Sequence, residues 1–432
     1  MKRILEHFKT ITAIPRCSYE ASAMKAFIVT FAQNCGCDVR CDDAGNVLCV
    51  KGKPTLCLQA HYDMVCIGET ERIELVQEGT LLKAKNSTLG ADNGMGMALM
   101  FWAMETYDTI ECLFTADEEV GLLGASTFTM PLISRYLLNL DSEEEGEICI
   151  GCAGGVDIVA TRSLSFMPLP EGMHCYEVSI EGFLGGHSGI DIDKDIPSAI
   201  KVLARELLTS SCELMHLEGG DRRNAIPKSA KAIVAAYKQP IFKDKRLHVR
   251  HLEEGKPSVV LHESKLILKA LSAFAQGVRS WDGALNIPRV SINMGLVSMH
   301  NASIRFDCSA RAMDDENLAI LAEETQAFFE GVGCDVSREH WHGAWRPDAG
   351  VFAYKVEAIL KEQYPHVRMY AVHAGLECGE LMARQPEKIE AVSIGPTIRY
   401  PHSLREECDL DSVARMRVIL EKIMKEVEHG ID

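Results

Sequence analysis

Five stretches of this chain end an apolar run in a residue able to bind a metal ion. "TLCLQA" leads into His61, with Asp63 two residues on. "NSTLGADNGMGMA" sets Asp92 in a glycine-flanked turn before a helical pattern. "IECLFTA" runs into Asp117, Glu118 and Glu119, "YLLNL" stops at Asp141, and "AVSIGPTIRYP" leads to His402. Imidazole nitrogen together with carboxylate oxygen suits zinc, manganese or cobalt better than calcium. Each stretch alone has an ordinary explanation. A His–x–Asp is a common surface or core pair, Asp92 fits a helix cap, and "DSEEEGE" reads as a solvated acidic loop. The joint pattern is different. Like charges crowded at strand ends repel, and their recurrence in one chain points to a centre holding two cations.

These residues need strands to carry them. "NVLCV", "TLCLQA", "IECLF" and "YLLNL" are short apolar runs bounded by turn residues, and "EASAMKAFIVTFAQ" spaces its apolar residues as a helix does. Strands alternating with helices predict an α/β fold, a mainly parallel sheet flanked by helices. In such sheets ligands gather at the carboxyl ends of the strands, where four of the five stretches fall. "MPLPEGM" breaks the pattern, and the runs "HCYEVSIEG", "AKAIVAAY", "RVSINMGLV" and "ASIRFDCSARAM" then suggest an α+β segment. The α/β rhythm returns after the turn-rich "HWHGAWRPDAG". The expected division is one domain of residues 1–172 with 350–432 and a second, inserted domain of residues 173–349.

The composition narrows the partners. The chain has 432 residues, 47% hydrophobic and 25% charged, as in a globular protein of more than one domain. Its net charge of −17 argues against nucleic acid or an anionic membrane surface. The longest nearly apolar stretch, "GMGMALMFWAM", is too short to span a bilayer, and "MKRILEHFKTITAIPR" has no signal-peptide apolar region. The expected location is therefore cytoplasmic. The 16 cysteines are expected as free thiols in that setting, and "CIGC" is a lone C-x-x-C, Cys149 to Cys152.

The motifs "HYDMV", "TLGADNGMGMA", "TADEEVGLLGA", "NLDSEEEGEICIGCAGG", "GGHSGIDI", "RRNAIP", "HAGLECG" and "IGPTIRYPHS" occur in order along nearly the whole chain. Together they resemble the co-catalytic metallopeptidase family of aminoacylases, carboxypeptidases and dipeptidases. The likeness is nearest to its aminoacyl-histidine (Xaa-His, beta-alanyl-histidine) dipeptidase branch. The resemblance implies two divalent metal ions per subunit, zinc first, with manganese or cobalt as alternatives. It assigns His61 and Asp141 to one ion, Glu119 and His402 to the other, and Asp92 to both, with a cis bond from Asp92 to Asn93. Asp63 would fix the tautomer of His61, and Glu118 would be the general base.

The same resemblance makes the first domain catalytic and the inserted one a lid and dimerisation domain. His187 in "GGHSG" would reach a partner subunit's active site and stabilise the tetrahedral intermediate. Asn224, Arg311 and Gly375 match substrate-binding positions, and an arginine can hold a peptide carboxylate through two parallel hydrogen bonds. The chain departs from the family after "GGHSGIDI", where it reads "DKDIPSAI". The activity implied is hydrolysis of dipeptides, of Xaa-His type, by a homodimer. Two alternatives stand beside it: an amidohydrolase acting on N-acyl amino acids or other small peptides, and a silent relative serving as a binding or scaffold protein. All five ligands and Glu118 are present, which silent relatives usually lack.

Overall fold

The computed structural model describes residues 1–253, 257–428 and 430. It divides into two compact units. One comprises Met1–Cys152, Trp345–Ala371 and Gly375–Asp432, and the other Ala153–Ala344 with Val372–Ala374.

The first unit is α/β, built on an eight-stranded sheet. In spatial order the strands are Asp38–Cys41, Val47–Lys51, Ile110–Thr115, Leu56–His61, Tyr136–Asn139, Glu390–Ser393, Glu147–Cys152 and Arg368–Val372. The four from Ile110–Thr115 to Glu390–Ser393 are mutually parallel, with antiparallel neighbours outside them. Leu56–His61, Ile110–Thr115 and Tyr136–Asn139 are buried at every position. Strands buried on both faces read as continuous apolar runs. The segment "GMGMALMFWAM" belongs to helix Ala91–Thr106, whose residues are buried from Asn93 to Met104. A helix apolar all round is a core helix. It packs with helices Lys2–Ile11 and Leu410–Glu428 into one core with the sheet.

The second unit carries a nine-stranded sheet whose strand pairs are antiparallel. Helices Ala199–Thr209, Ser264–Ala273 and Asp315–Gly331 share a single core with it. Strand Gly154–Ser163 lies between Ser303–Ala312 and Asp335–His342 in that sheet. Residues 153–172 therefore pack with the second unit, whereas the sequence reading placed the boundary after residue 172. "MPLPEGM" runs from the end of strand Phe166–Pro168 through the connection to His174–Ile180, two strands of one unit. Proline and glycine mark a chain reversal inside a domain as readily as a linker.

One expectation about thiols is corrected. Cys17 and Cys66 form a disulfide. The backbone bridge between Cys17 and Met64 lays the two loops side by side, a proximity that spacing along the chain does not reveal. The Cys149 and Cys152 sulfurs instead donate to the carbonyls of Gly151 and Leu376. Among the described residues no helix is long and apolar enough to cross a membrane.

Candidate metal centre

The parallel strands of the first unit deliver most of the predicted ligands. His61 is the last residue of its strand, Glu118 and Glu119 follow Ile110–Thr115, and Asp141 follows Tyr136–Asn139. His402 lies between the short strands Ile398–Arg399 and Glu407–Asp409, downstream of Glu390–Ser393, and Asp92 opens helix Ala91–Thr106. The Asp92–Asn93 peptide is cis.

Their side chains converge. His61 Nε2 lies 3.0 Å from Asp92 Oδ1 and 3.5 Å from Asp141 Oδ1. His402 Nε2 lies 3.0 Å from Asp92 Oδ2 and 2.9 Å from Glu119 Oε2. The ligand atoms of His61, Asp92 and Asp141 fall within 4.8 Å of one another, as do those of Asp92, Glu119 and His402. Asp92 belongs to both sets through different oxygens. A third set joins His61, Glu118 and Glu119.

This donor set fits cations. Glu119 Oε1 is buried without a hydrogen-bond partner, and an unpaired buried carboxylate oxygen is costly. Burial pushes the Glu118 carboxyl well above the usual carboxylate range, helped by the charges of Asp141, Glu119 and Glu377 and opposed by His61. Burial disfavours the charged form of His402. Its hydrogen bonds with Asp92 and Glu119 outweigh that and raise it to about 11. Divalent cations bound here would offset the clustered carboxylates.

Asp63 supports the centre from beneath. Its Oδ1 is 3.3 Å from His61 Nδ1, close but not aligned as a hydrogen bond. It also accepts from Ser18 Oγ at 2.7 Å and from the N–H groups of Glu118 and Glu119 at 3.1 and 3.4 Å. The acidic run is a single 3₁₀ turn, Glu118–Val120, flanked by Asp117 and Gly121 with φ of 51° and 107°. Asp117, the one acid of the three outside the donor sets, accepts from the N–H of Tyr19 at 2.6 Å.

Below the ligands a buried polar row crosses the four parallel strands. Gln59 Nε2 donates to Thr115 Oγ1 at 3.0 Å, Asn139 Nδ2 to Gln59 Oε1 at 2.5 Å, and Ser393 Oγ to Asn139 Oδ1. Asn139 Oδ1 also accepts the N–H of Asp141 at 3.2 Å. Glu377 closes the row, accepting from Gln59 at 2.6 Å and Thr115 at 2.7 Å. Sequence reading missed Glu377. It sits in "HAGLECG", where Gly375 alone was singled out, and only its burial at 1% exposure marks it.

His187, Asn224 and Arg311 lie in the second unit, and Gly375 in the first. His187 pairs with Ala225 in a two-residue ladder beside Asn224. Its Nδ1 accepts the N–H groups of Gly189 and Ile190, each at 3.2 Å, so the neutral ring carries its proton on Nε2. Burial, then the charge of Arg311, lowers its pKa to about 4. Arg311 pairs across the sheet with Ser291 on one side and Gly155 on the other. His373 Nε2 contacts Ser291 Oγ at 2.7 Å, and His342 pairs with Gly155. Burial and Arg311 also lower His342 to about 4 and His373 to about 3. The charge of one guanidinium thus acts on all three imidazoles. His342 and His373 were not foreseen, since their strand and loop meet Arg311 only through sheet register.

No family model matches the chain. It is similar to the cytosol non-specific dipeptidase of Escherichia coli, 31% identical across 97% of this chain and 96% of that protein. Among solved structures it is similar to an aminoacylhistidine dipeptidase from Vibrio alginolyticus, with TM-score 0.79, 30% identity and coverage of 97% and 96%. It also shares the fold of aminopeptidase PepT from Bacillus cereus, with TM-score 0.62 at 15% identity over 99% and 98% of the two chains.

Proposed function

Because the chain belongs to the two-metal dipeptidase family and hydrolyses dipeptides with bound metal, we propose a division of labour among its residues. His61 and Asp141 hold one cation, Glu119 and His402 the other, and Asp92 both. The observation carrying this reading is the pair of donor sets that meet on the two oxygens of Asp92. Zinc is the proposed metal, on the mix of imidazole and carboxylate donors. When bound, the ions supply Lewis acidity to a water and to the scissile carbonyl.

The protein's own groups do the rest. Glu118 takes a proton from the attacking water as its oxygen bonds to the carbonyl carbon. It returns that proton to the nitrogen as the C–N bond breaks, releasing an amine and a carboxylic acid, whose remaining proton passes to the amine to leave ammonium and carboxylate. Asp63 keeps His61 in one tautomer by facing its Nδ1. His187 offers Nε2–H to the developing oxyanion of a partner subunit, Asn224 and the Gly375 backbone orient the peptide, and Arg311 holds its terminal carboxylate. The substrate class is Xaa-His dipeptides. The resemblance to the Vibrio enzyme supports it, and the E. coli relative's name sets a broader preference against it. That relative's name also supports a cytoplasmic location, and the inserted unit is assigned the dimer contact.

Chelation abolishes dipeptide hydrolysis on this reading, and added zinc, manganese or cobalt restores it. A panel of Xaa-His dipeptides, other dipeptides, tripeptides and N-acetyl amino acids, assayed with each metal, measures the preference. Highest kcat/KM on the N-acetyl substrates moves the assignment to an aminoacylase, and no turnover of any substrate leaves a scaffold.

The trans assignment of His187 has its own test. His187→Ala and Glu118→Ala homodimers are each inactive, and mixing them restores activity in heterodimers that pair an intact Glu118 with a partner's intact His187. Subunit exchange is followed by native mass spectrometry. Exchange without recovery places His187 in its own subunit's site.

A further inference from the structure

The turn presenting Asp92 lacks a cap of its own. Helix Ala91–Thr106 receives no side-chain hydrogen bond from its N-cap, Gly90. The first N–H groups of a helix need partners, and Leu89, Gly90 and Ala91 are buried away from water. Glu406 provides them from more than 300 residues away. Its Oε2 accepts from Leu89 N–H at 2.8 Å and Gly90 N–H at 3.0 Å. Its Oε1 accepts from Ala91 N–H at 2.8 Å and Asp92 N–H at 3.4 Å.

The carbonyl edge of the same turn is held by Arg16, a buried arginine. Its guanidinium donates to the carbonyls of Gly90, Asp63 at 2.6 Å and Tyr62 at 3.2 Å. A Cβ on Gly90 or Gly94 would fall 2.5 or 2.7 Å from that guanidinium, so the arginine fills the space both glycines leave. Glu406 belongs also to the turn that carries His402, donating its own N–H to Ser403 O at 3.1 Å. His402 and Asp92 meet at 3.0 Å across these two turns.

We propose that Glu406 is a positioning residue: its carboxylate ties the Leu89–Asp92 turn to the Ser403–Glu406 turn, setting where Asp92 stands relative to His402. Arg16 braces the opposite edge. The inference rests on the reading of Asp92 as a ligand shared by two cations. A carboxylate has lone pairs for all four donors, and its charge suits a helix N-terminus. An amide in its place offers one oxygen and turns an NH₂ toward donors, leaving buried N–H groups unpaired. Glu406 does not itself join any of the three donor sets. Its effect on the reaction passes through Asp92 and His402.

Glu406→Gln in the full-length enzyme tests this. Zinc is titrated against a chromophoric chelator, with the folded fraction read by near-UV circular dichroism and Tm recorded with and without metal. Both equivalents weaken together, by about 10–100-fold, as when a residue behind the ligands is lost. Lowered Tm with unchanged zinc affinity overturns the proposal, because a purely architectural role moves only the first. Weakening of one equivalent alone also overturns it, because Asp92 serves both. If the glutamine variant does not fold, Glu406→Asp keeps charge and both oxygens but draws them back by one methylene. The same joint weakening is expected there, and unchanged affinity refutes the strut. Wild-type enzyme binding fewer than two equivalents counts against the shared-ligand reading itself. Whether the remaining equivalent weakens in the variant then decides the role of Glu406.

Discussion

Glu118→Gln retains two metal equivalents per chain and lowers kcat by about 10²–10⁴-fold, the usual worth of a positioned general base. The residue sits on the short turn after Ile110–Thr115, with its carboxyl among Asp141, Glu119 and Glu377. Burial comes first among the causes that hold its proton affinity high. Glutamine keeps the shape and the N–H of residue 118 that binds Asp63, and removes the basic oxygen. One alternative is built into the geometry, since Glu118 also groups with His61 and Glu119 as a possible donor. Metal content by mass spectrometry beside steady-state kinetics separates the two roles. Loss of a metal equivalent makes Glu118 a ligand, and an unchanged kcat removes it from the proton path.

Asp92→Ala has the wider reach: neither metal equivalent survives dialysis against a mild chelator, and activity falls below detection. His61 approaches one oxygen of Asp92 and His402 the other, with Asp141 in the first donor set and Glu119 in the second. Removing the carboxylate strips a ligand and a negative charge from both sets at once. Glu119→Ala, by contrast, depletes the His402 set and leaves His61, Asp92 and Asp141 intact. Equilibrium dialysis with metal analysis on the two variants reads this directly. A full zinc equivalent retained tightly by Asp92→Ala would show that the bridging assignment is wrong.

Much of the centre was legible because strands buried on both faces write themselves as apolar runs, and the residues ending those runs stand out. His61, Asp141 and the acidic pair were singled out as candidates that way, and Asp92 by its glycine-flanked turn. Glu377 and Glu406 were not. Nothing local distinguishes a glutamate in "HAGLECG" or "LREEC" from a solvated one. Each acquires its role only when Gln59 and Thr115, or the N–H groups of residues 89–92, are brought against it. Cys17 and Cys66 escaped for the same reason, and so did the start of the second unit at Ala153, which depends on which strands flank Gly154–Ser163.

By itself the amino-acid order determined the residue types at the strand ends, hence the class of chemistry, and the glycine-flanked turn that carries Asp92. Those are local properties, governed by side-chain pattern and backbone preference over a few residues. The tertiary structure alone decided the pairing: that His402 and His61 share Asp92, that Asp117 serves Tyr19, and that the charge of Arg311 reaches three histidines. Such contacts join residues tens to hundreds of positions apart. They are set by the order in which strands add to a sheet, and that order follows from packing of the whole core.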